Sequence, residues 1–356
     1  MRGLRIPAAG GLRTLGIVLA YTWTVSAAAQ PIGINEAPTT IDAPAAFSFA
    51  VIGTASGDAD RSTSTLLRAV DASPSRFVVH FDLSAPSDTS CSHAARERRR
   101  ALLDASGKPV VPVLAAVEWA DCGNATGDPL ERLERIGDSF FSTDESLGQT
   151  RMPWLRQSAF ARFHRYRENL RWQVGRVLFA TINLPDNNNN FRIAAGRNGE
   201  FEERLVANRA WLERTFRLAA ERRLAGIVLF VDAAPRFSAP MRVPDARTRE
   251  RDGYYEWKRA FRDFVPAFKG QVLLVQARYA PGPPGPPDLD HPLQNPAGKA
   301  ITNFTRIALK DSGAMSWLRI DVDAADVRIF RVTAERVFDD PSGELYGAGR
   351  GPQTRP

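Results

Sequence analysis

The sequence predicts an α/β layered fold with mixed sheets. Three observations predict it. Short β-rich runs alternate with helical patterns through most of the chain, the rhythm of strand–helix–strand units. Three strand-like runs then follow one another near the C-terminal end. No linker divides two composition regimes, which argues for one domain.

The elements can be justified in order. Phe47-Ser48-Phe49-Ala50-Val51-Ile52 reads as the first strand, ended by Gly53. A helix from Thr63 to Val70 follows, opened by a Ser/Thr cluster able to cap backbone N–H groups. Phe77 to Phe81 is a second buried strand, and 93–104 a helix. Val110 to Leu114 is a third strand; Pro112 removes a backbone donor and so predicts an edge position or a strand end. Asp128-Pro129 opens a helix, with the carboxylate as cap and proline in the first turn. Strands at 177–182, 226–231 and 272–275 alternate with helices at 202–222 and 254–266. Between them Asp186 to Asn190 is a polar loop whose asparagines tolerate left-handed backbone. Residues 281–287 are a Gly/Pro loop or flap. Runs near 304–309, 315–322 and 327–332 are expected to pair antiparallel.

Residues 1–29 read as a secretory signal: a basic start, the short apolar run Leu15 to Tyr21, and Ser26-Ala27-Ala28-Ala29 before Gln30. The expected organisation is therefore a signal peptide, 1–29, a single domain, 30–337, and a Gly/Pro-rich tail, 338–356. No membrane span is expected, and the localisation read from this pattern is exported, periplasmic or secreted. The chain's net charge of +7 shrinks once Arg2, Arg5 and Arg13 leave with the signal: 47 basic residues less these three are 44, against 40 acids. The run Arg96 to Arg100 reads as a solvated helix face, so no nucleic-acid partner is expected. An oxidising compartment makes Cys91 and Cys122 an expected disulfide. Closing that loop contributes about 3–4 kcal/mol in the chain-entropy account.

The order of several short pieces carries a resemblance. They are Phe49-Ala50-Val51-Ile52-Gly53, Phe77-Val78-Val79-His80, Glu118-Trp119-Ala120-Asp121-Cys122, Pro129-Leu130-Glu131-Arg132-Leu133, Arg167-Glu168-Asn169, Phe179-Ala180-Thr181-Ile182-Asn183, the asparagine loop, Ala210-Trp211-Leu212 and Asn303-Phe304-Thr305-Arg306. In this order the chain resembles the calcineurin-like metallophosphoesterases, in particular exported bacterial members. The resemblance implies a four-layer α/β/β/α sandwich with two mixed sheets. It also implies a two-metal site at the strand ends, where the metals clamp a phosphate and generate a hydroxide.

The ligand motifs of that family are largely lost here. Thr54 stands where an aspartate is expected, and Leu83 where the metal-bridging aspartate is expected. Val117 replaces the asparagine ligand, Asp232 the usual polar ligand, and Gln276 and Ala280 the terminal ligands. Arg278 adds a positive charge beside the implied metal position. Only four histidines exist in the chain; His80 reads as a core residue, His93 and His164 as surface residues. The surviving candidates for chemistry are Asp82, Glu118, Asp232 and His291. Trp119, Arg278, Tyr279 and the Gly/Pro flap are candidates for a ligand cleft.

The leading expectation is an exported metallophosphoesterase-like protein without catalysis, a binding or scaffolding domain for an unknown ligand or protein partner, needing no cofactor and no metal. The alternative is an active calcineurin-like phosphoesterase with a rearranged site, which would need a divalent metal (manganese, zinc, iron or magnesium).

Overall fold

The structure, a computed structural model, describes residues 40–54, 59–84, 91–122, 127–192, 198–235, 237, 252–277, 288–289, 293, 299–309 and 315–337. Residues 37–356 belong to one compact unit. The expected signal, 1–29, and tail, 338–356, lie outside the described residues.

In chain order the elements are β1 (Thr40–Ile41), β2 (Ala46–Thr54), α1 (Ala59–Asp71), β3 (Val78–Asp82), α2 (His93–Asp104), β4 (Val110–Val113), α3 (Pro129–Phe140), β5 (Leu155–Arg156), β6 (Leu170–Val174), β7 (Val177–Ile182), α4 (Gly199–Glu221), β8 (Gly226–Val231), α5 (Tyr255–Ala267), β9 (Gln271–Ala277), β10 (Asp288–Leu289), β11 (Phe304–Leu309), β12 (Ser316–Asp323) and β13 (Phe330–Arg336). They form two mixed sheets. The smaller runs β13-β12-β2-β3-β4 and the larger β1-β6-β7-β8-β9-β11-β10, with β5 paired to β6. Strands β2, β3 and β4 are parallel, as are β7, β8, β9 and β11. Their C-terminal ends therefore lie along one edge of each sheet, where α/β proteins place their chemistry.

The two periodicities of the sequence explain the layering. Phe49 of β2, Phe77 just before β3 and Phe81 of β3 face the larger sheet and meet Phe179 and Phe230. Trp172 stacks on Phe179 at 5.4 Å and on Phe230 at 6.0 Å. This aromatic seam fills the space between sheets, each pair contributing about 0.5–1.5 kcal/mol beyond its burial. The same core continues to Leu66, Leu67 and Val70 of α1, Leu103 of α2, and Ile136 and Phe140 of α3. On the far face of the larger sheet, Leu178, Ala180, Ile227 and Leu229 pack under Trp211 of α4 and Phe261 of α5. The result is helices, sheet, sheet, helices: the four-layer sandwich that the resemblance implies.

Several expectations need correcting. The run 304–309 is not an antiparallel neighbour of the later strands; β11 runs parallel to β9 in the other sheet. The 26 residues between them make a connection long enough for a parallel return. Only β12 and β13 form the antiparallel pair, and β12 also pairs antiparallel with β2. Helix α1 begins four residues before Thr63, whose hydroxyl donates back to the Ala59 carbonyl at 2.7 Å and does not cap. Strand β6 was hidden by its polar residues Arg171 and Gln173, both buried here. Pro112 does lie on an edge strand, β4, and Asp128 caps α3 by accepting from Leu130 N at 2.9 Å.

Candidate functional site

At the end of β3, Asp82 lies almost wholly buried. The chain after β4 turns through a single helical turn, Ala116–Glu118, and brings Glu118 alongside. Between the two acids sits Arg99 of α2. Its Nη1 donates to Asp82 Oδ2 at 2.6 Å, and its Nη2 donates to Glu118 Oε1. The planar fork of a guanidinium suits two carboxylates held apart in this way. Phe140 of α3 covers the guanidinium, 5.3 Å from its ring centroid.

The remaining carboxylate oxygens are also engaged. Asp82 Oδ1 accepts from Ser84 N at 2.9 Å, and Glu118 Oε2 from Ala115 N at 2.7 Å. Asp232, at the end of β8, accepts at Oδ2 from Ala116 N at 2.7 Å and from Asp186 N at 3.2 Å. The three carboxylates expected from the sequence are thus gathered around the 115–118 turn. Cys91 and Cys122 are joined by a disulfide, with Cα atoms 5.7 Å apart. It ties the segment before α2 to the end of that turn.

The electrostatics follow from one cation facing two buried acids. Burial would raise Asp82, but Arg99, two hydrogen bonds from Ser84 and His80 outweigh it and hold it below its ordinary value. Burial raises Glu118 to about 7, Arg99 opposing and Asp82 adding to the rise. One guanidinium neutralises one carboxylate; ionising the second leaves a net negative charge away from water. Burial likewise lowers His80 to about 4, so its ring is neutral near pH 7. His80 Nε2 meets Thr54 Oγ1 at 3.0 Å, an interior hydrogen bond between neighbouring strands.

The ends of β7 and β8 carry a second polar constellation. Asn188, Asn189 and Asn190 all have left-handed backbone, φ 57°, 59° and 53°. Asparagine is among the few residues that adopt this conformation readily. The loop is stitched to its surroundings by its amides. Asn187 Nδ2 donates to Asp121 Oδ1 at 3.0 Å, Asn188 Oδ1 accepts from Gly253 N at 2.9 Å, and Asn189 Nδ2 donates to the Gly253 carbonyl at 2.9 Å. Fully buried Arg204 of α4 donates to the Asn189 carbonyl at 2.8 Å, to Asn189 Oδ1 and to Glu200. Its guanidinium lies 5.7 Å from the ring centroid of Trp119. Burial raises Asp186 to about 6, the Ala234 backbone N–H opposing and Asp121 adding.

The donor set does not fit the two-metal centre that the resemblance implies. Both oxygens of Asp82 and of Glu118 already accept hydrogen bonds. His80 is turned to Thr54. Leu83 and Val117 are buried hydrocarbon where ligands would stand. Gln276 is buried, and its Oε1 has no hydrogen-bond partner among the described residues. Among the described residues no three His, Cys, Asp or Glu side chains are placed to hold a metal ion. His291, Arg278, Tyr279 and Ala280 lie outside the described residues. Trp119 is fully buried in the core between the two polar constellations.

Sequence reasoning missed Arg99 and Arg204. The run Arg96 to Arg100 is not one solvated face: Arg96 and Arg99, three apart, both point inward. A signal existed, because Arg96, Arg99 and Leu103 share a stripe of α2 and Leu103 is the buried apolar residue there.

No family model matches the chain, and no curated protein matches it. Among solved structures, one titled "Structure of PhoD" is similar over 87% of this chain and 69% of its own chain, at 10% identity and a TM-score of 0.49. Among the described residues no helix is long and apolar enough to cross a membrane.

Proposed function

We propose that the chain is an exported, phosphoesterase-like protein that does not hydrolyse phosphate esters and acts as a binding or scaffolding domain without a metal. The observation that supports this reading is Arg99 seated between Asp82 and Glu118. A cation at these acids would face a fixed guanidinium, and two unit charges 4 Å apart repel by about 4 kcal/mol at an effective dielectric of 20. Hydrolysis without a metal would rest on Glu118 alone, and general acid–base help is worth only about 10²–10⁴-fold. Rate enhancements for phosphate monoesters approach about 10²¹-fold.

One observation favours the second reading, an active phosphoesterase with a rearranged site. Glu118, raised to about 7, has the proton affinity of a general acid or base at neutral pH. Elemental analysis of the purified protein separates the two, together with assays of phosphomonoesters and diesters with manganese, zinc, magnesium or iron added. The expected result is no stoichiometric metal and no turnover above background. Stoichiometric metal, with turnover abolished by Asp82→Asn or Asp232→Asn, overturns the proposal.

A further inference from the structure

Residues 162–167 alternate basic and aromatic side chains: Arg162, Phe163, His164, Arg165, Tyr166, Arg167. They leave the single-turn helix Ala161–Phe163 and run beside the N-terminal half of α4. Between this segment and α4 lies a groove of about 410 Å³, lined by Arg162, Phe163, His164, Arg165 and Tyr166 on one side and by Glu203 and Val206 on the other. That volume lies within the range of small-molecule sites, about 300–1,000 Å³.

The groove combines three features. The first is uncompensated positive charge. Arg167 is paired with Asp138, but among the described residues no carboxylate lies within ion-pair distance of Arg162 or Arg165, both of which are exposed. Arg162 rests the face of its guanidinium on Phe163, 5.5 Å from the ring centroid, which leaves its N–H edge for a ligand. The second is apolar surface. Val206 is 48% exposed, one of three large hydrophobic residues so exposed among the described residues. The Phe163 ring adjoins Tyr166 at 6.4 Å. The third is a pair of hydrogen-bonding groups. His164 donates from Nδ1 to the Ala161 carbonyl at 3.3 Å, which leaves Nε2 as the second ring nitrogen. Burial, and then the Glu203 carboxylate, push the Tyr166 hydroxyl up, so it remains a proton donor.

We propose that this groove binds a small organic anion, a phosphate-type or carboxylate head group on an apolar ring. The head group meets the N–H edges of Arg162 and Arg165 and the Tyr166 hydroxyl. The ring lies against exposed Val206. Glu203 opposes the head group and so limits affinity. The groove is built from residues other than those of the acid cluster, and its binding does not depend on whether that cluster is catalytic.

The test titrates the full mature chain, with chelator present, with phenylphosphonate, benzoate, methylphosphonate and benzyl alcohol, read by calorimetry and by NMR of the His164 and Tyr166 side chains. Phenylphosphonate cannot be hydrolysed as an ester, so a metal-dependent activity elsewhere does not affect the readout. Saturable binding of phenylphosphonate and benzoate is expected, with both side chains shifting. Methylphosphonate, lacking the ring, and benzyl alcohol, lacking the charge, should each bind at least about tenfold more weakly. Arg162→Ala with Arg165→Ala should weaken phenylphosphonate about tenfold or more, since each removes a charge-assisted donor. Glu203→Gln should tighten it a few-fold, which a merely structural role for this segment would not do. Arg162, Arg165 and Glu203 are exposed, so the variants should fold. No saturable binding, binding indifferent to the double substitution, or binding only of an acidic peptide each overturns the proposal.

Discussion

Arg99 of α2, half-buried, and Arg204 of α4, fully buried, both point their guanidinium groups towards the strand ends, and the protein accommodates them differently. Arg99 is held by charge: two carboxylates on two different strand-end segments, each also bonded to backbone. Arg204 is held by both kinds of group: the Asn183 and Asn189 carbonyls and the Asn189 amide oxygen, and both carboxylate oxygens of Glu200, one helical turn away on its own helix. The Arg99 cluster has a surplus acid, so it titrates. The Arg204 cluster fixes the shape of a loop whose partners are chiefly amides and carbonyls. Asp232 and Trp119 join the two: Asp232 bonds both Ala116 N and Asp186 N, and the Trp119 ring lies under Arg204 beside the turn that carries Glu118. A buried arginine is thus either the counter-charge of a site or the peg of a loop, and its partners decide which.

The largest effect that would break this contrast is removal of Arg99. Arg99→Ala strands two buried carboxylates, and breaking a buried pair in this way costs about 3–5 kcal/mol. Urea unfolding at pH 8 should show a loss of that size. The loss should shrink at pH 5, where Glu118 takes up a proton. A loss below about 1 kcal/mol at pH 8 would mean that the acids are effectively hydrated and the cluster is not closed.

The titration itself comes next. Glu118 is raised to about 7 by burial. Below about 4.5 its carboxyl is protonated in both states. As pH rises through about 7, the folded carboxyl must ionise against its environment, and stability is lost. His80 is lowered to about 4 by burial. Above about 6.5 it is neutral in both states; as pH falls towards 4, the unfolded chain takes a proton that the folded ring refuses, and stability is lost in the other direction. Between about pH 4.5 and 6.5 the two slopes oppose each other. The wild type should therefore be nearly flat there. Glu118→Gln should expose the His80 slope, with stability rising with pH. His80→Gln should expose the Glu118 slope, with stability falling. Each slope should amount to about 2–3 kcal/mol by linkage. Parallel profiles for all three proteins would show that these groups do not share one buried environment.

Removal of Arg204 should cost less than removal of Arg99. Arg204→Ala unpairs a carbonyl and an amide, and Glu200 can turn towards water. The expected loss is about 2 kcal/mol, on the scale of a few buried hydrogen bonds. Unlike that of Arg99→Ala, it should change little between pH 8 and pH 5, because most of the groups it unpairs do not titrate. A strongly pH-dependent loss would place Glu200, not the asparagine loop, as the main partner.

How much of this was legible depended on the interaction. Strands such as 177–182 and 226–231 are continuous apolar runs, and helix α3 opens on Asp128-Pro129; these are local signals and were readable. Asp82, Glu118 and Asp232 were readable as acids near strand ends, because each lies in or shortly after a recognisable strand; that Arg99 joins two of them was not. Strand β6 was not, because buried Arg171 and Gln173 imitate an exposed segment; Arg171 stacks over Trp211 at 4.6 Å, a contact no spacing announces. The parallel pairing of β11 was hidden for a similar reason, since strand direction depends on the path of the chain between strands. Arg99 and Arg204 were the costliest omissions for the site. Their inward direction follows from the helix period, but composition alone reads a run of arginines as solvent-facing.

The smallest expected effect tests whether the asparagine loop is chosen for its backbone or for its amides. Asn188 has φ 57° and accepts at Oδ1 from Gly253 N at 2.9 Å. Asn188→Gly keeps the left-handed backbone available and removes the acceptor. Asn188→Ala removes the acceptor and adds the steric cost of a left-handed residue with a Cβ, about 1–2 kcal/mol. Asn188→Asp keeps an acceptor of the same reach. If the backbone dominates, Ala should be less stable than Gly by about 1 kcal/mol, even though Gly gains entropy in the unfolded chain. If the amide dominates, Gly and Ala should be equally poor and Asp should stand well above both. The order expected here is Asn, then Asp, then Gly, with Ala lowest, because three consecutive left-handed residues leave the loop little room to relax. Equal stability of Gly and Ala, measured by the same urea unfolding, would sink the backbone explanation and leave the hydrogen bond to Gly253 as the reason for asparagine at this position.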